Sequence, residues 1–291
     1  MSNTPPRVAV CLTGEPRGIK TCINSLYENI IEPLDASIFY SFNRATPDDE
    51  SKIKLINKKL IFGELKEKVD LRKELVPDSL YSKFDEVDFY PLSNWIGTIN
   101  KQMGGVCYRH VDFKRMAGII SSYLDDFDYF IITRSDFKYL FPIFDFSILK
   151  DQEIIKHKGF DNYSHTGMNW EFIICKSDKV LEFLNSPYLF MNDESLQGLM
   201  IKEIRQKPRN NESFQRIISE YYEWNVSEME INGYISADSM EESTTWGEIQ
   251  YSESNKSYFK YSEMVHDACF NLEKINSELK WRIDGKEIKI A

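Results

Sequence analysis

The stretch that decides the fold is RVAVCLTGEPRG, residues 7–18. Its first half is a short apolar run typical of a buried strand, and its second half holds Gly14, Pro16 and Gly18, which indicate a tight turn. Apolar residues then recur every three or four positions over residues 19–31, which predicts an amphipathic helix. The next apolar stretch, DASIFYSF at residues 35–42, predicts a second strand. A strand, a helix and a strand in this order begin a parallel open sheet.

The alternation of helices and strands continues along the chain. In the first half we expect a helix over 47–73, a strand over 85–90, a covering loop over 91–105, a helix over 108–124 and a strand over 129–133. In the second half we expect mixed strands within 153–175, helices over 177–185 and 213–222, a strand over 226–233, and a last helix and strand within 257–291. These elements predict an α/β fold with a mixed, mostly parallel, Rossmann-like sheet flanked by helices.

The composition is that of an ordinary globular protein, with 42% hydrophobic and 28% charged residues among 291. No internal repeat, low-complexity tract or linker divides the sequence, so we expect a single domain over residues 1–291. The five cysteines and four histidines are scattered, without the spacing of a zinc or redox motif.

The net charge and the apolar runs exclude two classes of partner. The formal net charge is −10, whereas binding a nucleic-acid backbone requires surplus positive charge, so we expect no nucleic-acid partner. No apolar run approaches the roughly 18 residues that span a bilayer, and the N-terminus has no signal-peptide pattern. We therefore expect a cytoplasmic protein without a transmembrane segment.

A second decisive stretch is YFIITRSDFKY, residues 129–139, in which a hydrophobic strand runs into Arg134 and Asp136. Ligands of open α/β sheets bind beyond the carboxyl ends of the strands, where the 13–18 turn and residues 41–44 also lie. A guanidinium group binds phosphate oxygens, and a carboxylate binds a ribose hydroxyl or a bridging cation, so this pattern suits a nucleoside diphosphate. The alternative is a solvated ion pair at a strand end.

Together, VAVCLTGEPRG, DASIFYSF, YRHVDFKRMAGIISSYL and FDYFIITRSDF resemble the nucleotide-sugar glycosyltransferases of the GT-A fold. More narrowly, they resemble the enzymes of large algal DNA viruses and of bacterial capsule or lipopolysaccharide clusters. In these enzymes an arginine often takes the first position of the DxD motif. The resemblance covers about residues 7–178. It implies a nucleotide-sugar-binding half over about 7–140 and an acceptor-binding half over about 141–291, in the host cytoplasm if the enzyme is viral.

The resemblance also implies a donor site. Thr13, Gly14 and Arg17 would lie against the nucleotide, with Arg134 and Asp136 beside the diphosphate. Because Arg134 replaces a metal-binding aspartate, Mn²⁺ or Mg²⁺ bound through Asp136 and a metal-independent mechanism both stay open. Without a metal, cationic side chains must neutralise the leaving diphosphate. The candidates are Arg17, Arg109, Lys114, Arg115 and Arg134.

An inverting glycosyl transfer needs a carboxylate base that takes the proton of the acceptor hydroxyl. Glu171, before an apolar strand, resembles the acidic residues that face the acceptor in many inverting GT-A enzymes; Asp161 and Glu212 are alternatives, and a retaining enzyme would need none. Aromatic rings pack on the apolar faces of sugars, so we expect an acceptor platform. Its candidates are Trp95, Tyr163, His165 and Trp170. His266 either completes a metal site or is an ordinary helix-face histidine.

The sequence thus predicts a hexosyl- or pentosyltransferase that uses a nucleoside diphosphate sugar, with a UDP-sugar favoured, and a glycan or glycoprotein acceptor. Two alternatives stay open: a non-catalytic carbohydrate-binding protein on the same fold and a sugar-phosphate nucleotidyltransferase. The turn TGEPRG, residues 13–18, matches the glycine-rich loop of the latter poorly.

Overall fold

The computed structural model describes residues 5–43, 45–66, 103–143, 152–158, 172–193, 195–196, 211–237, 249–252, 257–259 and 261–284. The described strands are β1 Val8–Gly14, β2 Ser37–Asn43, β3 Leu60–Lys66, β4 Tyr129–Thr133, β5 Phe137–Tyr139, β6 Ile154–His157, β7 Phe172–Lys176, β8 Val226–Met229, β9 Gly233–Ala237, β10 Gln250–Ser252 and β11 Ser257–Phe259. The described helices are α1 Ile19–Leu26, α2 Pro47–Ile53, α3 Met103–Ile120, α4 Ser177–Asn192, α5 Asn211–Tyr221 and α6 Ser262–Asp284. A π-helical turn, Tyr27–Ile31, extends α1, and 3₁₀ turns lie at Lys54–Lys59 and Leu124–Asp126.

The larger sheet has the strand order β3-β2-β1-β4-β7-β6-β8. Strands β3, β2, β1 and β4 are mutually parallel, β7 is antiparallel to both of its neighbours, and β8 is parallel to β6. The chain builds β1, β2 and β3 outward in one direction and then returns to place β4 on the other side of β1. The strand order therefore reverses between β1 and β4, which is where open α/β sheets bind ligands.

Alternate residues of the central strands face two separate hydrophobic layers. Ala9 and Cys11 of β1 join the core that contains Met116 and Ile120 of α3 together with residues of α4 and α5. Val8, Val10 and Leu12 of β1 join the other core, which contains residues of α1, β5, β9 and α6. A parallel sheet covered on both faces explains why the central strands read as continuous apolar runs.

The smaller sheet has the order β10-β11-β9-β5 and packs at the carboxyl end of β4. Only three residues separate the end of β4 from the start of its strand β5. Strand β5 pairs antiparallel with β9, so that Phe137 lies opposite Ile235. Phe137 and Tyr234 are fully buried between this sheet and the layer of α1 and α6. Residues 134–136 are therefore the short connection between the two sheets.

The predicted α/β class and the mixed, mostly parallel sheet flanked by helices are confirmed, as are the strands at residues 7–14, 35–42 and 129–133 and the helix that begins at Ile19. Strands β6 and β7 confirm the mixed-strand region within 153–175, and α4 and α5 confirm the helices that follow, although α4 runs through Pro187 to Asn192. The predicted strand at 226–233 is divided into β8 and the start of β9. No helix in the described ranges is both long and apolar enough to cross a membrane.

Several predicted boundaries were wrong. Residues 60–66, assigned to a helix, form the edge strand β3, because they pair with β2 and their burial alternates as in a strand with one solvated face. Residues 103–105, assigned to a loop, are the first residues of α3, since the helix continues through Gly104 and Gly105; it then ends at Ile120, before the predicted residue 124. Ile283 and Asp284, the first residues of the final strand predicted at 283–291, are helical. The predicted strand at 85–90 lies outside the described residues.

Candidate functional site at the carboxyl edge of β1 and β4

The turn that follows β1 is closed by two glycines with left-handed backbone conformations. Gly14 has φ of 99° and Gly18 has φ of 59°, values that other residues adopt only with strain. A side-chain carbon on Gly18 would lie 2.8 Å from Cβ of Asp136 and 3.0 Å from the carbonyl oxygen of Ser236. Gly18 is therefore required because the backbone of this turn packs directly on Asp136.

Ser135 and Ser236 hold the connection after β4 from two sides. The Ser135 hydroxyl group lies 3.1 Å from the carbonyl oxygens of both Glu15 and Arg17, so it can donate to the turn after β1. The backbone N–H of Ser236 in β9 donates to the carbonyl oxygen of Asp136 at 2.7 Å. The structure thus brings together the two stretches that the sequence singled out, TGEPRG and TRSD.

Arg134 and Asp136 form a two-pronged ion pair, which we call the carboxyl-edge pair. Arg134 Nε donates to Asp136 Oδ1 at 2.6 Å, and the Nη2 group of Arg134 donates to Oδ2 at 2.5 Å. The side chains are only 26% and 7% exposed. The Arg134 side chain is partly exposed at the point where the strand order reverses, so a cation that can bind phosphate is held in place by a buried carboxylate.

Arg17, the second predicted phosphate ligand, extends from the turn after β1. It is about half exposed and forms an ion pair with Glu15, with Nη2 2.6 Å from Glu15 Oε2. An exposed pair of this kind is weak and exchanges partners readily. Thr13 is partly buried, and its place in β1 is beside Ser41 of β2 and within the strand that ends at Gly14.

The predicted helix cations are divided between two places. Arg109 lies three residues before Asp112 on α3 and is close enough to lower the pKa of that carboxyl group. Lys114 points elsewhere: its ammonium group lies 3.8 Å from the ring centre of Tyr188 in α4. The binding roles given to Thr13, Gly14, Arg17, Arg109, Lys114, Arg134 and Asp136 remain predictions.

A polar cluster lies between β2 and α3; sequence reasoning named the strand end at residues 41–44 and Arg115, but not Asp112. Asn43, the last residue of β2, donates from Nδ2 to Oδ1 of Asp112 in α3. Arg115 donates from Nη1 to Asn43 Oδ1 at 3.0 Å, and the same atom lies 3.9 Å from Asp112 Oδ1. Burial raises the pKa of Asp112 to about 7 against the opposing effects of Asn43 and Arg115. The available signal was an aspartate among the apolar positions of α3.

The predicted catalytic base and acceptor platform lie outside the described residues. These are Glu171 and Asp161 as bases, and Trp95, Tyr163, His165 and Trp170 as acceptor contacts. The alternative base Glu212 belongs to α5, but its side chain is likewise outside the description. All six primary assignments therefore stay predictions.

The described part of the site does not fit a divalent metal ion. Both oxygens of Asp136 are engaged by Arg134, and no group of three histidine, cysteine, aspartate or glutamate side chains among the described residues could hold a metal. His266, the other metal candidate, is 81% exposed on α6 beside Asp267, as expected of a helix-face histidine.

No protein-family model matches the chain, and no curated protein matches it significantly. Among solved structures, apo mouse xyloside xylosyltransferase 1 is similar with a TM-score of 0.44 at 10% identity, over 77% of this chain and 85% of that one. The apo form of the glycosyltransferase GlyE from Streptococcus pneumoniae TIGR4 has a TM-score of 0.38 at 13% identity, over 77% of this chain and 46% of that one. Core-mannan synthase A (CmsA/Ktr4) from Aspergillus fumigatus, in a Mn/GDP form, has a TM-score of 0.39 at 8% identity, over 67% of this chain and 66% of that one. These neighbours are glycosyltransferases, and the chain spans less than two thirds of the last two.

Proposed function

We propose that the protein is a glycosyltransferase that moves a sugar from a nucleoside diphosphate sugar, with a UDP-sugar favoured, to a glycan acceptor. The observation that carries the proposal is the carboxyl-edge pair, a partly exposed arginine side chain held by a buried aspartate at the reversal of strand order, with the aspartate packed against the glycine turn after β1. Arg17 supplies a second cation from that turn. Such an arrangement suits the diphosphate of a nucleotide sugar.

In the proposed reaction, the oxygen of an acceptor hydroxyl attacks the anomeric carbon of the donor. The new carbon–oxygen bond forms as the bond between that carbon and the diphosphate breaks, and the diphosphate leaves with the electron pair. Arg134 and Arg17 stabilise the negative charge that develops on it. The proton of the acceptor hydroxyl passes to a carboxylate, for which Glu171 and Asp161 are the candidates.

Asp136 acts in this proposal by holding Arg134, since its two oxygens fix both prongs of the guanidinium group. A metal-dependent enzyme would instead use Asp136 as a ligand, and Arg134 would have to release it. No step of the proposed reaction is assigned to a metal ion.

The proposal is tested by thermal unfolding with UDP-, GDP- and other nucleotide sugars, each with manganese or with a chelator. A ligand at about 100 times its Kd stabilises by about 2.7 kcal/mol, which is a shift of several degrees. A shift with one nucleotide family, together with release of the nucleoside diphosphate when acceptor glycans are added, is expected. Survival of the shift in chelator supports charge neutralisation by arginine.

The matched variants are Asp136→Ala and Asp128→Ala, which remove an arginine-bound aspartate at opposite ends of β4. We expect Asp136→Ala to abolish donor binding or turnover and Asp128→Ala to retain both. Full activity of Asp136→Ala would overturn the site. A wild-type protein that binds glycans but no nucleotide sugar would instead be a carbohydrate-binding protein, and pyrophosphate release from a sugar phosphate and a nucleoside triphosphate would identify a nucleotidyltransferase.

A further inference from the structure

The strands β1, β2 and β3 change from apolar to polar at the same level of the sheet. Thr13, Ser41 and Glu64 lie side by side in register, and the Ser41 hydroxyl group is 3.2 Å from Glu64 Oε2. They follow Cys11 and Phe39, which lie two residues earlier on the same face, in the core against α3. A sheet covered on both faces is normally apolar to the end of its strands, so this row marks the start of a polar site under α3.

Asp112 lies at the edge of this polar row. Its Oδ1 accepts from Asn43, and Arg115 holds Asn43 from the other side. Its Oδ2 is 3.9 Å from the place where a side-chain carbon on Gly14 would stand, and it receives no hydrogen bond from any residue in the described ranges. One carboxylate oxygen is thus fixed by the protein, while the other faces the glycine turn between the ends of β1 and β2.

We propose that Asp112, oriented by Asn43 and Arg115, binds a ribose hydroxyl group of the nucleotide donor and so determines the preference for ribonucleotides. This inference rests on the proposed function, because the diphosphate must lie at the carboxyl-edge pair. Neighbouring strands are about 4.8 Å apart, so β2 lies roughly 10 Å from β4. A nucleotide whose phosphates lie over β1 and β4 therefore extends its ribose toward the end of β2, where acidic residues bind ribose hydroxyls in dinucleotide-binding folds.

The orientation of Asp112 favours a ribose hydroxyl over a guanine edge. A carboxylate that recognises guanine presents both oxygens to two neighbouring N–H groups, whereas Oδ1 of Asp112 is turned toward Asn43. A hydroxyl group needs only one acceptor. The charged groups that influence Asp112 are Arg115 and Arg109 of its own helix and Glu15 of the turn, and its ionised form is the better acceptor.

The test measures the affinities of UDP and GDP, and of their 2′-deoxy and 3′-deoxy counterparts, for the wild type, Asp112→Asn and Asp128→Asn. Because a hydrogen bond to a charged group is strong, the wild type and Asp128→Asn should bind a ribonucleotide at least about 10-fold tighter than one of its deoxy forms. In Asp112→Asn we expect this ratio to fall below about 3-fold, while the deoxy nucleotide itself binds nearly as in the wild type. The wild-type ratio should also rise between pH 6 and pH 8, as Asp112 ionises.

The outcomes separate the two proposals. If the wild type binds ribonucleotides but the ratio is the same in Asp112→Asn, or already near 1 in the wild type, the ribose assignment is overturned and the proposed function stands. If the wild type binds no nucleoside diphosphate, both are overturned. Because asparagine can still accept from Asn43, Asp112→Asn should fold, and its unfolding temperature verifies this; Asn43→Ser, which loosens Asp112 without removing it, should give an intermediate ratio.

Discussion

The two ends of the β1–β4 pair each carry an arginine bound to an aspartate, and the pairs differ in burial. At the amino end, Arg7 and Asp128 form what we call the amino-edge pair, with side chains 56% and 45% exposed. At the carboxyl end, Arg134 and Asp136 are 26% and 7% exposed. The register between the pairs runs without interruption from Val8 opposite Tyr129 to Leu12 opposite Thr133.

The amino-edge pair connects two strands, whereas the carboxyl-edge pair does not. Arg7 donates to Asp128 through its backbone N–H at 2.8 Å as well as through its side chain, and Asp128 N–H donates back to the carbonyl oxygen of Arg7, so this pair joins the starts of two strands. The carboxyl-edge pair joins residues two positions apart and therefore fixes no long-range contact by itself. Burying a charged pair carries a desolvation penalty that stability alone does not explain. The difference favours a ligand-binding role for the carboxyl-edge pair.

The largest effect is expected when the two arginines are compared. In the proposed reaction, Arg134→Ala should lower turnover about 10²- to 10³-fold, because a fixed positive charge is lost where charge develops on the leaving diphosphate. Arg7→Ala should stay within about 2-fold of the wild type. Arg134→Lys should be intermediate, since lysine keeps the charge but not the two-pronged geometry. Steady-state release of the nucleoside diphosphate measures all three, and equal rates for both alanine variants would remove the functional distinction between the ends.

The next effect concerns how tightly the carboxyl end is packed. Gly18→Ala should destabilise by about 2 kcal/mol or more, because alanine is strained at φ of 59° and its Cβ would overlap Asp136. The matched change Gly118→Ala, on the exposed face of α3 with no atom within 4 Å, should stabilise by about 0.5–1 kcal/mol. Denaturant unfolding measures both; a Gly18→Ala protein as stable as the wild type would mean that the turn does not pack on Asp136.

A smaller effect tests the buried charge of Asp112. Its pKa of about 7 in the folded protein lies above the ordinary value, so between about pH 4 and pH 7 the folded protein keeps a proton that the unfolded chain has released. The contribution of Asp112 to the free energy of unfolding therefore falls as the pH rises through that interval. Asp112→Asn removes the penalty, and its unfolding temperature relative to the wild type should increase by a few degrees from pH 4.5 to pH 8. A difference in unfolding temperature that does not change with pH would contradict the raised pKa of Asp112.

The smallest effect is expected at the amino end. Asp128→Ala should lower the unfolding temperature by no more than about 2 °C, because exposed ion pairs contribute little. Arg7 lowers the pKa of Asp128, so the contribution is present above the ordinary aspartate pKa and disappears as the pH falls below it. Thermal unfolding at neutral and acidic pH measures this difference. A larger loss at acidic than at neutral pH would reverse the expected sign.

The sequence predicted the central strands because a sheet covered on both faces leaves long apolar runs, and it located TGEPRG and TRSD because polar residues end those runs. It misassigned β3 because this edge strand lies within residues 47–73, a lysine- and glutamate-rich stretch with the pattern of a surface helix. It also missed Asp112, which lies 69 residues after Asn43 and becomes its partner only through packing of α3 on β2. Contacts of this kind depend on the tertiary arrangement, which local patterns do not contain.

The hydrogen bonds around residues 134–136 also have a consequence for the order of folding. Ser135 contacts carbonyl groups 118 and 120 residues earlier in the chain, and Asp136 is held by Ser236, which is 100 positions later. Contacts between such distant segments form late, because closing long loops is entropically unfavourable. The pairing of β1 with β4 brings Ser135 to the turn after β1, but the carboxyl edge is complete only once β9 has docked. A chain ending before residue 233 would thus keep the strands that position Arg134 and lose the hydrogen bond from Ser236 that holds Asp136, the ion-pair partner of Arg134.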